Sequence, residues 1–300
     1  MKLILDEKLT RKGKPVGLPY VGSKKKIAKK IIQIIIQNFG RDKVVYDIFG
    51  GGGAITCECL INNLKVIYND LDSMPMDMIK EICNKDREYL KTLIVSREDF
   101  VNIKNKKNKT VDDQIKLLIN SFGNNIKNYL YSKRTSDLKF NLAKLIIKNY
   151  DCFSGYRQTR TYKNKLQRLQ QLERLQQLER LQQLQGLQQL ERLQQLGQLE
   201  QLKIYHKDYT YFSNVKNGIF YLDPPYENSI KPYGAGLKNY EDFYKWCKSV
   251  NKNNIVLISG YEMPDDFECV YEFKKSKSTL QSGVHPEKFE KLFMVKHNTQ

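Results

Sequence analysis

The stretch that most restricts this chain is Gly218-Ile219-Phe220-Tyr221-Leu222 followed at once by Asp223-Pro224-Pro225-Tyr226. The apolar run reads as a buried parallel strand. Two consecutive prolines neither continue a β-ladder nor open a helix comfortably, so the chain must leave the sheet at Asp223. In an open α/β sheet the carboxyl end of a strand is where ligands bind. A carboxylate, a rigid carbonyl-bearing turn and an aromatic face stand together there, a set suited to a flat, hydrogen-bonding ring such as a nucleobase. A plain strand-ending turn is the competing reading of the tetrapeptide alone.

A second strand end carries matching information. Lys43 to Phe49 is β-branched and apolar, Gly50-Gly51-Gly52-Gly53 follows, and Ala54 to Ile61 reads as a helix. Strand, glycine loop and helix form a nucleotide cradle, because bare backbone and a helix N-terminus can both approach a ligand. The spacing is neither G-x-G-x-x-G nor a Walker loop. A further strand, Lys65 to Tyr68, ends in Asn69-Asp70. An acidic side chain about twenty residues past the glycines can accept from a ribose hydroxyl pair, although a lone aspartate at a strand end is more often a cap. Upstream, residues 1–17 read as a polar, basic arm. They lead into Leu18-Pro19-Tyr20-Val21-Gly22-Ser23-Lys24 and a helix over 24–38 with an isoleucine face. A lysine at that glycine turn points to an anion only weakly.

The chain carries a formal charge of +18, which favours a polyanionic partner. Over half of the excess falls within residues 101–165, where fifteen Lys and Arg stand against four Asp. Tyr129, Tyr131, Phe140, Tyr150, Phe153, Tyr156 and Tyr162 are interleaved with them. Cations hold phosphates, while aromatic rings either stack on bases or pack a core. This segment is the expected nucleic-acid reader, with Lys133, Arg134, Arg157, Arg160 and Lys163 as its candidate contacts.

Residues 166–202 repeat leucine at every third position, separated by Gln, Arg and Glu. A three-residue step falls ~60° short of a helical turn, so the leucines spiral around an α-helix. The composition still favours helix. We expect a low-complexity insertion that acts as a spacer or a self-association element, with no chemistry of its own. Beyond it, 228–238 reads as a loop beside the site, Tyr240 to Val250 as a helix, and Asn254 to Ser259, Phe267 to Phe273 and Leu292 to Lys296 as strands. A polar loop over Lys274 to Glu287 lies between the last two.

The six cysteines and three histidines have no metal-binding spacing, so no metal is expected. Dispersed cysteines, with no signal core or membrane span, suggest a cytoplasmic protein.

These motifs together resemble the Dam-like (D12 class, α-group) adenine-specific DNA methyltransferase family. Asp47-Ile48-Phe49-Gly50-Gly51-Gly52-Gly53 is similar to the F-x-G-x-G methyl-donor loop, and Asp223-Pro224-Pro225-Tyr226 to the D-P-P-Y signature. Tyr20-Val21-Gly22-Ser23-Lys24 is similar to W-x-G-G-K, with tyrosine for tryptophan and serine for one glycine. Ser121-Phe122-Gly123-Asn124-Asn125 and Glu290-Lys291-Leu292-Phe293 also look familial.

The resemblance implies an α/β fold: a Rossmann-like S-adenosylmethionine-dependent methyltransferase sheet with an inserted, mainly helical target-recognition segment and the Leu/Gln-rich repeat. Its catalytic domain would span 18–72 and 203–300, and its DNA-binding domain 73–165. Tyr20, Lys24, Phe49, Gly51, Gly53, Asp70 and Asp223 would form the S-adenosylmethionine site, and Asp223, Pro224, Pro225 and Tyr226 the catalytic turn. The substrate would be a flipped adenine in double-stranded DNA, with a restriction endonuclease as a possible cognate partner. Two alternatives stay open. One is the same chemistry on cytosine N4 or RNA adenine. The other is a non-catalytic nucleic-acid-binding or assembly protein built around the repeat.

Overall fold

Val45-Tyr46-Asp47 is short, but parallel neighbours on both sides make it an interior strand of a sheet. The computed structural model describes residues 2–20, 22–133, 135–164, 181–196, 199, 202–225, 237, 239–273 and 289–296. In chain order, α1 spans Ala28–Phe39, β1 Val45–Asp47, α2 Ala54–Ile61 and β2 Val66–Asn69. Then come α3 (Met74–Cys83), α4 (Arg87–Thr92), α5 (Arg97–Asn105), α6 (Val111–Ile119), α7 (Ser136–Asn149) and α8 (Gln182–Gln194). The chain closes with β3 (Lys203–Tyr205), β4 (Ile219–Leu222), α9 (Tyr240–Asn251), β5 (Ile255–Gly260), β6 (Phe267–Glu272) and β7 (Lys291–Val295). The loops expected over 228–238 and 274–287 fall outside the described residues, except for Leu237.

The chain divides into two units. The first comprises Met1–Val16, Gly22–Ser73 and Gln198–Gln300. Its described residues form a seven-stranded sheet in the order β3-β2-β1-β4-β5-β7-β6. The β3, β2, β1, β4 and β5 strands are parallel, while β7 runs antiparallel to both β5 and β6. Strand order turns back between β1 and β4, because the chain leaves β1 toward β2 and leaves β4 toward β5. Such a switch point opens a crevice outside the carboxyl ends of the two strands.

All four residues of β4 are buried, so the sheet is covered on both faces there. On one face Phe220, Leu222, Val256 and Ile258 pack with Phe243, Trp246 and Val250 of α9. Side chains alternate along a strand, so Tyr221 and Ser259 face the other way. On the β1 side, α2 packs against α1.

The segment expected as an arm over 1–17 is fastened at several points between Leu3 and Arg11. The Leu3 amide donates to the Val270 carbonyl, Asn38 brackets Ile4, and Gln37 exchanges hydrogen bonds with the Asp6 backbone. The Arg11 guanidinium grips the fully buried Glu58 carboxylate with two donors at 2.6 and 2.5 Å. The helix expected over 24–38 starts as a single 3-10 turn, Lys24–Lys26, capped by Ser23 and leading into α1.

The second unit, Gly17–Val21 with Met74–Gly197, is helical. Three of its helices start on well-made caps: Asp86 for α4, Ser96 for α5, and a reciprocal Thr110–Asp113 capping box for α6. These side chains satisfy backbone donors that a helix leaves open at its start. Of the repeat set apart over 166–202, the described part is a core helix. The α8 helix packs on α3, α4 and α6, and Leu184, Leu187, Leu190 and Leu193 are wholly buried. Buried Gln183 donates to the Val95 carbonyl and the Asn120 side chain.

Candidate active site

At the end of β1 the backbone of Ile48 is still tied into the sheet, donating to the Tyr221 carbonyl. The glycine loop begins two residues later. A Cβ on Gly50 would lie 2.2 Å from the Tyr68 ring, so only glycine lets the loop sit against β2. Tyr68 in turn donates its hydroxyl to the Gly51 carbonyl at 2.9 Å. Gly51 and Gly53 adopt φ of 43° and 69°, the left-handed region that glycine enters at no steric cost. Phe49 packs edge-on to Phe243.

Asp70 closes the loop from the β2 side. One carboxylate oxygen accepts from the Gly51 amide and the other from the Asp72 amide, at 2.8 and 2.9 Å. Burial pushes its carboxyl above the ordinary range, although both amides pull the other way. Asn69, fully buried, ties β2 to β1 and to the segment after β3 by donating to the Ile48 and Lys207 carbonyls. Beneath the loop, buried Asp47 accepts from the amide and hydroxyl of Thr56, and burial raises its carboxyl to about 7.

At the end of β4, the Asp223 side chain faces the Lys24 ammonium at 2.7 Å. The same ammonium lies 3.6 Å from Glu290, whose carboxylate also accepts from the buried Ser259 hydroxyl. Lys24 and Glu290 side chains are each only 9 % exposed, so both charges sit largely out of water. Burial pushes Asp223 up to about 6, against the pull of Lys24. Burial alone would lower Lys24, but the two carboxylates carry it above its usual value. The turn is braced from α9, where the Tyr240 hydroxyl donates to the Pro225 carbonyl at 2.5 Å.

The structure therefore gathers Lys24, Phe49, Gly51, Gly53, Asp70, Asp223, Pro224 and Pro225 within the first unit, on the strand-end loops flanking the switch point and on the turn leading into α1. Lys24 stands on Asp223 itself, a contact that its place at a glycine turn did not disclose. Tyr20 belongs to the second unit, where its amide donates to the Leu18 carbonyl. Tyr226 and Arg134 lie outside the described residues. In the second unit Lys133, Arg157, Arg160 and Lys163 are all exposed, and Arg157 lies against the Tyr156 ring. Five of the interleaved aromatics, Tyr129, Tyr131, Phe153, Tyr156 and Tyr162, are core residues. Sequence reasoning also passed over Ser259 and Tyr240, which carry no motif signal, and left Glu290 without a role.

Five parallel strands, an antiparallel pair at one edge, and a glycine loop and a carboxylate at the switch point define a Rossmann-like methyltransferase fold. The family model for the D12 class N6 adenine-specific DNA methyltransferases matches residues 20–252. The chain belongs to that family and is an adenine-specific DNA methyltransferase. No curated protein matches it.

Proposed function

We propose that this enzyme transfers a methyl group from S-adenosylmethionine to the exocyclic nitrogen of an adenine turned out of double-stranded DNA at a defined sequence. The observation that carries this reading is the placement of Asp223: a largely buried carboxylate, held by Lys24 at the end of β4, next in the sheet to the strand that feeds the glycine loop. The residues suit the methyl donor. Gly51 and Gly53 would leave room for its backbone-hugging portion, and Asp70, already aligned by two amides, would accept from its ribose hydroxyls. When bound, the donor supplies a methyl group on an electrophilic sulfonium sulfur.

The adenine amine is a poor nucleophile because its lone pair is delocalised into the ring. Asp223 and the Pro224 carbonyl would accept its two N–H bonds, drawing the nitrogen toward a tetrahedral shape with the lone pair aimed at the methyl. Positioning and electrostatics carry the rate, with no covalent link to the protein. Tyr226 would stack on the base, which must leave the duplex to reach such a pocket.

Asp223→Ala is expected to abolish methyl transfer while leaving affinity for DNA within a few-fold. Labelled-methyl incorporation into unmethylated genomic DNA, alongside a filter-binding assay, reads both. Persistent incorporation would rule out the mechanism, and mapping of the modified bases in wild-type reactions tests the adenine and the sequence.

A further inference from the structure

A lysine ammonium on a four-carbon stem is a mobile partner, with three donors and free rotation about each bond. One carboxylate does not fix it. Among the described residues Lys24 faces two: Asp223 at 2.7 Å and Glu290 at 3.6 Å. Glu290 is itself fixed by the Ser259 hydroxyl at 3.2 Å. Ser259 lies on β5, which pairs with both β4 and β7, and Glu290 immediately precedes β7. The four side chains thus form a line from the sheet interior to the end of β4: Ser259, Glu290, Lys24, Asp223. A buried charge left with a poorly held partner is costly, whereas one that is paired and hydrogen-bonded throughout is rigid.

We propose that Glu290, anchored by Ser259, is a positioning residue for the methyl transfer: it holds Lys24 so that the ammonium occupies one oxygen of Asp223 and turns the other toward the substrate amine. The inference rests on the reading of Asp223 given above and extends it. Its consequence is specific. Loss of Glu290 should loosen Lys24, blur the orientation of the Asp223 carboxylate, and slow the chemical step without weakening the enzyme's hold on either substrate. The geometric effect runs through the Lys24 ammonium, so Glu290 should matter far less once Lys24 is removed.

The test is a double-mutant cycle on the full chain, using labelled S-adenosylmethionine and unmethylated genomic DNA. Glu290→Gln preserves shape and one acceptor for Ser259 but removes the charge. We expect kcat to fall ten- to a hundredfold, with KM for both substrates within threefold. In a Lys24→Met background the same substitution should change kcat by less than threefold. Ser259→Ala should give a smaller kcat loss in the same direction, and it keeps the test alive if Glu290→Gln folds poorly. Wild-type kcat in both single variants, a loss confined to KM, or full additivity with Lys24→Met would each overturn the proposal. Asp223→Ala run beside them separates the two ideas: activity surviving in Asp223→Ala removes the underlying reading, while activity lost there but intact in Glu290→Gln and Ser259→Ala removes only the role of Glu290.

Discussion

Two buried aspartates with opposite settings lie at the heart of the first unit. Asp223 has a cation beside it, whereas Asp47, among the described residues, accepts from the amide and hydroxyl of Thr56. Hydrogen bonds from neutral groups recover part of the cost of burying a charge, and Asp47 accordingly stays raised to about 7. The sign of the linkage follows. A carboxyl raised from its unfolded value near 3.8 to about 7 binds its proton more tightly in the folded state. The folded state is therefore progressively penalised as pH rises through that interval. Asparagine keeps an acceptor for Thr56 and cannot ionise. Asp47→Asn should thus gain stability relative to wild type between pH 5 and pH 8, read as the difference between urea midpoints at the two pH values. A constant difference would mean that Asp47 is ionised throughout. The residues differ in how much the sequence disclosed. Asp223 and the glycines announce themselves because proline pairs and glycine runs leave local signatures. The line Ser259–Glu290–Lys24–Asp223 does not, since strand order and the packing of the turn before α1 bring its members together, and no local spacing encodes that.

At the scale of elements, α8 explains how a repeat with the wrong period for a helix becomes part of a core. Three-residue steps carry the leucines ~180° around the helix between Leu184 and Leu193. A stripe that wide cannot be buried against one neighbour, and α3, α4 and α6 together cover it. The repeat also breaks its own pattern where α8 meets the end of α6. Arg168, Arg174, Arg180 and Arg192 precede a leucine in their copies, while the corresponding position here is Gly186. A Cβ on Gly186 would stand 3.3 Å from the Ile119 side chain of α6, so a larger residue there must push Ile119 aside. Gly186→Arg, which restores the residue of the other copies, should cost at least 1–3 kcal/mol from overpacking. Gln182→Arg, on the exposed side of the same helix, should stay within about 0.5 kcal/mol of wild type. Chemical denaturation of the three proteins separates them, and equal stability of all three would mean that α8 does not dock through Gly186. The strands and α2 were legible because their apolar runs are bounded by glycine and proline. The docking of α8 was not, because periodicity alone gives no partner, although the single glycine among the arginines was the available sign.

For the whole molecule, the formal charge of +18 gains meaning from where its exposed part lies. Burial of Tyr129, Tyr131, Phe153, Tyr156 and Tyr162 in the second unit removes most of the interleaved rings as stacking platforms. Tyr150 stays exposed, and so do the cations Lys133, Arg157, Arg160 and Lys163. A surface of that kind holds phosphates and positions a duplex without reading its sequence. Binding through it releases counterions, so affinity should fall steeply with salt, by ~0.9 in log–log slope for each phosphate neutralised. The double variant Arg160→Ala/Lys163→Ala should therefore weaken DNA binding at low salt and flatten the slope by about two. Its affinity for S-adenosylmethionine should not change, because neither residue belongs to the unit that carries the glycine loop. Fluorescence anisotropy of a labelled duplex across a potassium chloride series, with calorimetry for the methyl donor, measures both. An unchanged slope would move the phosphate-contacting surface elsewhere on the molecule. A flattened slope with sequence preference intact would assign these cations to holding the duplex and leave base reading to other residues.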